Sequence, residues 1–236
     1  MTAGHVVSLQ RWPVKSMAGE DLDALSLDRW GATGDRTHAV FAVFKGAPRR
    51  VNAEAVPRLL AWAAAYPAAT VEREAPPQPL VTAPDGTSRG WEDPELPAAL
   101  EADLGRAVTL RREPRGQQDR PATVHVTVEA SLRALGETLG APVDLARFRS
   151  NIHLDLDAEP YAEQGWLGRR LRIGDAELQI VEGCERCAIP TRDPQTQEKW
   201  PQLLRFLAAE RATMFGLIAR PLGTAIVRRG DAARLL

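Results

Sequence analysis

A chain of 236 residues is long enough for one large domain or two small ones, and 44% hydrophobic with 26% charged residues is an ordinary globular profile. The formal net charge of −1 excludes an overall field that would recruit nucleic acid or an anionic membrane, and no apolar run reaches the ~18 residues of a membrane span. Two cysteines are too few for a disulfide framework, and the opening "MTAGHVVSLQRWPVKS" lacks the blocks of a signal peptide, so a reducing cytoplasm is the expected compartment, with no nucleic-acid and no membrane partner.

Residues 6–12 alternate and predict a strand that ends at Pro13. "HAVFAVF" at 38–44 predicts a second strand from its β-branched and aromatic content. Residues 53–66, "AEAVPRLLAWAAAY", read as a helix whose first turn is limited by Pro57. "TVERE" at 70–74 reads as a short strand, and "PLVTAPDGTSRGW" as strands turning at Asp85-Gly86. Asp93-Pro94 starts a helix that Gly105 ends, and "AVTLRR" is a strand.

The polar, turn-rich stretch at 112–122 is the candidate boundary between an N-terminal region, 1–112, and a second domain, 120–236. Beyond it "TVHVTV" is a strand, "EASLRALGETLG" a helix closing on Gly140, and "DLARFR" a helical turn with Asp144 as its cap. "NIHLDLD" places Ile152, Leu154 and Leu156 on one face of a strand. "LRIGDAELQIV" is a hairpin turning at Gly174-Asp175, residues 199–210 are a helix, and "TAIVRRGDAARLL" ends the chain as strand and turn. Many short strands with few helices predict a mainly β or α+β fold of barrel-like form rather than a parallel doubly wound sheet. No G-x-G-x-x-G and no P-loop supports dinucleotide or ATP use.

Cys184 and Cys187, in "VEGCERCAIPTRDPQTQ", are the only cysteines. A thioredoxin-like pair needs a helix starting at the motif, which Pro190 and Pro194 oppose. A zinc site needs further ligands, and His5, His38, His125 and His153 each stand alone, as solvated or satisfied strand residues do. A buried cysteine acting as a small apolar side chain is the third reading, and it suits Cys184 better than Cys187. Four patches flank strands and add basic and hydroxyl or amide groups: "WPVKSMAGE" with Lys15 and Ser16, "GATGDR" with Arg36, "EASL" with Ser131, and "RFRSN" with Arg149 and Asn151. Strand ends are where loops converge on a site, and these groups make a cradle for a phosphate or a polar heterocycle.

In this order the patches resemble the MOSC family of molybdenum cofactor domains, related to the C-terminal part of molybdenum cofactor sulfurases and to the mitochondrial amidoxime-reducing component. The likeness covers nearly the whole chain and ends in "FRSNIHLDLD", "EQGWLGRRLRIGDAEL" and "CERCAIPTRDPQT". It implies an antiparallel β-barrel-like MOSC domain behind an N-terminal β-barrel region, with a few flanking helices. It implies a molybdopterin cofactor with Cys187 as catalytic molybdenum ligand and with Lys15, Ser16, Arg36, Ser131, Arg149 and Asn151 holding the pterin and its phosphate. Cys184 would then pack or assist. Ser150, Gln197 and Glu129 stand where the family usually has proline, glycine and aspartate.

A thiolate is a soft donor suited to a metal already bound by sulfur, and Arg186, if it points inward, sets a positive charge beside it. The expected reaction is a two-electron reduction of a small N-hydroxylated substrate, with Asp193 either a proton donor or a turn residue. Two cysteines do not make a [2Fe–2S] centre, so electrons would come from a separate donor: a ferredoxin-like protein, a flavin reductase or a b-type cytochrome system. The rival readings are a sulfur carrier bearing a persulfide on Cys187 and a cofactor-binding module without turnover.

Overall fold

The computed structural model describes residues 2–68, 72, 77–113, 120 and 122–236. In chain order the first half carries β1 (Ala3–Arg11), β2 (Glu20–Leu22), β3 (Ala24–Asp28), β4 (Gly31–Ala32), β5 (His38–Phe44), β6 (Ala47–Arg50), β7 (Ala63–Ala65), β8 (Leu80–Thr82), β9 (Ser88–Gly90), α1 (Glu95–Leu104) and β10 (Val108–Arg112). The second carries β11 (Val124–Val128), α2 (Glu129–Leu139), β12 (Ile152–Leu156), β13 (Arg170–Ile173), β14 (Ala176–Glu185), α3 (Pro201–Arg211), β15 (Met214–Pro221), β16 (Ala225–Arg228) and β17 (Ala232–Leu235).

Seven strands close on themselves in the order β1, β12, β11, β15, β14, β13, β17 and back to β1, with β2 continuing from β1. Closure removes the unpaired edges that an open sheet of this size would present. β11 and β12 are the parallel pair, joined by the crossover that parallel strands require, here α2 and a 3-10 turn at Leu145–Phe148. Val6, Leu9, Val126, Ile152, Leu154, Leu171, Leu178 and Leu217 fill one continuous core. Gly4 permits the closure: a Cβ there would lie 1.9 Å from the Asp155 carbonyl oxygen. So β1, the first strand of the chain, belongs to the barrel otherwise built from the second half.

The rest of the first half makes two three-stranded sheets, β10-β5-β6 and β7-β8-β9. With α1 they enclose a separate core that includes Val14, Val40, Leu59, Trp62, Val81, Trp91 and Leu100. A third small sheet, β16-β3-β4, ties the end of the chain to its beginning.

Mainly β architecture with a few helices is as expected, three α-helices being present among the described residues, and several local signals behave. The Asp93 carboxylate accepts from Glu95 N at 2.8 Å, and Gly105 ends α1 with φ 67°. The helix expected at 53–66 is absent. A 3-10 turn at Pro57–Ala61 is followed by β7. Pro57 brings no N–H, and the alanines beyond it are claimed from outside: Ala18 N donates to Trp62 O at 2.7 Å and Ala64 N to Ala18 O at 2.9 Å. Tertiary pairing overrides the helix propensity of alanine. The strand expected at 70–74 falls outside the described residues.

Of the two alternatives expected for the strand histidines, solvated or satisfied, His38, His125 and His153 take the second: all three are buried and partnered. His38 Nδ1 meets Thr37 Oγ1 at 2.9 Å, and its ring packs edge-on against Trp91. Burial, helped by the charge of Arg112, pushes this imidazole from 6.5 down to about 3. The unfolded chain therefore takes up a proton that the native state refuses. Stability present above pH 6.5 is lost as the pH falls toward 3, at about 1.4 kcal/mol per pH unit from this residue. Urea unfolding between pH 6 and 4 is expected to show His38→Gln declining by about that much less per unit than the natural chain. Parallel declines would contradict the burial of a neutral ring.

Candidate functional site

Loops at one end of the barrel converge because their strands are neighbours. β1 runs antiparallel to β12, which sets Gln10 beside Asn151: Gln10 N donates to Asn151 O at 2.9 Å and Asn151 Nδ2 to Gln10 O at 3.2 Å. Asn151 Oδ1 accepts from His125 N at 3.1 Å, which ties in β11. The end of β14 faces the start of β15, and Arg186 N donates to Thr213 O at 2.9 Å. The segment with Cys187 therefore leaves the barrel on the same side as residues 12–19, 33–37 and 145–151.

Between them lies a cavity of about 220 Å³. Six of the seven residues proposed for the site line it: Lys15, Ser16, Arg36, Arg149, Asn151 and Cys187. Ser131 does not. It is fully buried, donating to Glu163 Oε2 at 2.7 Å and accepting from Tyr161 N at 2.7 Å, so its hydroxyl ties α2 to the segment beyond β12. Cys184 also lines the cavity; it is buried on β14, whereas Cys187 is exposed beyond the strand end.

The walls are cationic. Lys15, Arg36, Arg120, Arg147, Arg149 and Arg186 line the cavity against one carboxylate, Glu185. Such a concentration of positive charge in a concave site attracts an anion. Arg36 is held in place by an ion pair with Asp35, and it donates to Arg149 O at 2.7 Å. Arg149 Nη1 donates to Met17 O at 2.7 Å while its guanidinium lies 4.3 Å from the centre of the Trp12 ring. Trp12 in turn donates through N to Asp35 Oδ1 at 2.8 Å and through Nε1 to Ser150 O at 3.0 Å. Ser16 Oγ accepts from Ala53 N at 3.0 Å and keeps its own proton to donate.

Three of these residues have left-handed backbone: Ser16 (φ 73°), Arg36 (φ 48°) and Arg149 (φ 55°). Each such residue with a side chain costs about 1–2 kcal/mol, and such strain gathers at functional sites. Nothing in the sequence patterns signals it.

Arg186 does point inward, but its donors are engaged. Nε and Nη2 donate to Phe215 O at 2.9 and 2.6 Å, and Nη1 to Phe148 O at 3.1 Å. Nη2 also meets His125 Nε2. Burial, then the charge of Arg186, drive the His125 imidazole well below its ordinary range, so it is a neutral acceptor. Arg186 thus pins the cysteine segment to β15 and to the turn before Arg149. Arg147 and Arg120 were not singled out in the sequence, and His125 was weighed only as a metal ligand. A histidine in the apolar alternation of "TVHVTV" was the available signal for His125.

Asp193 is a turn residue. Its Oδ1 accepts from Gln195 N at 3.0 Å and Thr196 N at 2.9 Å, and its Oδ2 from Arg147 at 2.9 Å. The Thr196 and Gln195 amides and the Arg147 charge hold the carboxyl below its usual range, so it carries no proton to give at neutral pH. Gln197 has φ 58°, the left-handed geometry that the glycine usual in the family adopts without strain. Glu129 faces His153 at 2.7 Å rather than the cavity.

Among the described residues no three His, Cys, Asp or Glu side chains gather as a metal cluster. A metal held here would take one protein thiolate and bring its other ligands with it. An exposed soft donor and a set of cations, of which Arg36 and Arg149 are buried, suit a ligand that is sulfur-bound metal at one end and phosphate at the other.

The profile of the MOSC domain matches residues 113–234, and that of the MOSC N-terminal beta barrel domain matches residues 3–89. The chain is 43% identical over 68 residues to mitochondrial amidoxime-reducing component 1 of Homo sapiens, covering 29% of this chain and 19% of that protein. It is 37% identical over 75 residues to the Danio rerio protein of the same name, covering 32% and 22%. The matched stretch spans about a fifth of either relative's length. Among solved structures, the YuaD protein of Bacillus subtilis is similar over 100% of this chain and 96% of its own, at 13% identity and a TM-score of 0.48.

Proposed function

The chain belongs to the MOSC-domain family, and on that premise we propose that it binds a molybdenum-bearing pterin and reduces N-hydroxylated compounds by two electrons. The MOSC family is linked to the molybdenum cofactor, and the relatives' name points to amidoximes, which are N-hydroxylated amidines. The observation that carries the reading is the cationic cavity with the Cys187 side chain exposed among its lining residues.

In this scheme Cys187 ligates the molybdenum, and Lys15, Ser16, Arg36 and Arg149 bind the phosphate and pterin. Asn151 works through others: its amide is engaged with β1, β11 and the turn at Arg36, so it holds the cradle in shape. Arg186 positions Cys187 by fixing the residue before it to Phe215 and Phe148. When bound, the cofactor supplies the two-electron couple at the metal, while the chain supplies ligand, orientation and access. The substrate's N–O bond breaks with two electrons and two protons, leaving N–H and water. The protons come from solvent, since Asp193 is engaged in its turn. The electrons come from a separate donor protein.

The test is anaerobic turnover of a simple N-hydroxylated amidine by the full chain from a cofactor-competent host, with a small-molecule reductant and the amidine product quantified. Stoichiometric amidine is expected. Molybdenum present without product would replace the reading with a binding module. No molybdenum but a persulfide on Cys187 would replace it with a sulfur carrier.

A further inference from the structure

The segment after Cys187 has two faces. Cys187, Ile189 and Pro190 line the cationic cavity, whereas Ala188, Thr191 and Arg192 line a second, outer groove of about 570 Å³. The two spaces are separated there by one thickness of chain. The outer groove runs along α3, with Pro201 and Leu204 as apolar lining. Lys199 and Arg205 line it, are exposed, and have no ion-pair partner among the described residues. Arg192, which donates to Gln197 O at 3.2 Å, is the third cation, and Glu54 the one carboxylate.

Unpaired cations around an apolar floor fit an acidic protein surface better than a small anion, which would leave the floor uncovered. The chain as a whole carries −1, so any attraction for an acidic partner must be local. We propose that this groove is the docking site of an acidic one-electron carrier protein, which delivers electrons across the Cys187–Pro190 wall. The proposal rests on the reductase reading above for its purpose, though not for its geometry. Each carrier molecule is oxidised by one electron. Two such deliveries, with two protons from solvent, break one N–O bond, form one N–H bond and release water.

The test is calorimetric titration of the full chain with an acidic [2Fe–2S] ferredoxin at low and at high salt. Binding that weakens with salt is expected, about tenfold weaker in Lys199→Glu/Arg205→Glu, and changed by less than about twofold in Arg228→Glu/Arg234→Glu. That second pair lies on β16 and β17, makes the same charge change and is also exposed. Equal losses in both pairs, no loss in the first, or no binding by the natural chain would each overturn the proposal. Turnover with the small-molecule reductant is expected to be unchanged in Lys199→Glu/Arg205→Glu. Its absence in the natural chain would sink the reductase reading while leaving the docking result to stand or fall alone.

Discussion

Cys187→Ala, produced in a cofactor-competent host, is expected to retain less than about a tenth of the molybdenum that the natural chain carries near one per molecule, a loss in binding of at least about 1.4 kcal/mol. Compared cofactor-free, the variant and the natural chain are expected to share one melting temperature, since any difference between loaded and unloaded protein reflects ligand binding. The side chain is exposed and fills no core space, so truncation belongs with surface changes of within about 0.5 kcal/mol. Cys184→Ala should do the reverse. That thiol is buried against the barrel, and its loss should cost about 1–2 kcal/mol of stability while metal is retained. Elemental mass spectrometry and thermal melts on the two variants separate ligand from packing residue. Full molybdenum in Cys187→Ala would remove the ligand assignment.

Asp35→Ala is expected to lose about 3–5 kcal/mol in urea unfolding, the largest stability effect we anticipate from a site-adjacent change. Asp35 is wholly buried and holds two things at once: the Trp12 amide at 2.8 Å and the guanidinium of Arg36. Removing it leaves a buried cation without its counter-charge and a buried N–H without its acceptor. The damage should spread to the cavity, because Arg36 bonds Arg149 O and Trp12 underlies the Arg149 guanidinium. Asp35→Asn keeps an acceptor for Trp12 and should lose less. A cost under about 1 kcal/mol for Asp35→Ala would mean that Arg36 has another anchor.

The local features that were legible share a cause. The Gly174-Asp175 hairpin, the Asp144 cap on Ala146 N and the burial of Ile152, Leu154 and Leu156 are decided within a few residues, and period and turn chemistry report them directly. The same strand also shows the limit. His153 is on its other face and reads as either solvated or satisfied; the packing of α2 decides between them, and Glu129 bonds its ring. Residues 53–66 fail outright, because a strand of alanines is chosen by its partner Ala18 and not by its own composition.

The candidate site divides along the same line. The order of "WPVKS", "GDR", "RFRSN" and "CERC" in the chain was enough to name the family and six residues that line the cavity, since motif chemistry survives in one dimension. It could not say that Ser131 braces Glu163 and Tyr161 or that Arg186 is bonded to Phe215 and Phe148. Those outcomes depend on residues far apart in sequence. Arg36 reaches Arg149 across 113 positions and Asn151 reaches Gln10 across 141. By itself the sequence determined the capped helix α1, the hairpin turns, the family and the donor types, because each rests on neighbours along the chain. Which donors face the cavity was decided only when the barrel closed, because closure fixes which strand ends meet and which hydrogen bonds each side chain has already made.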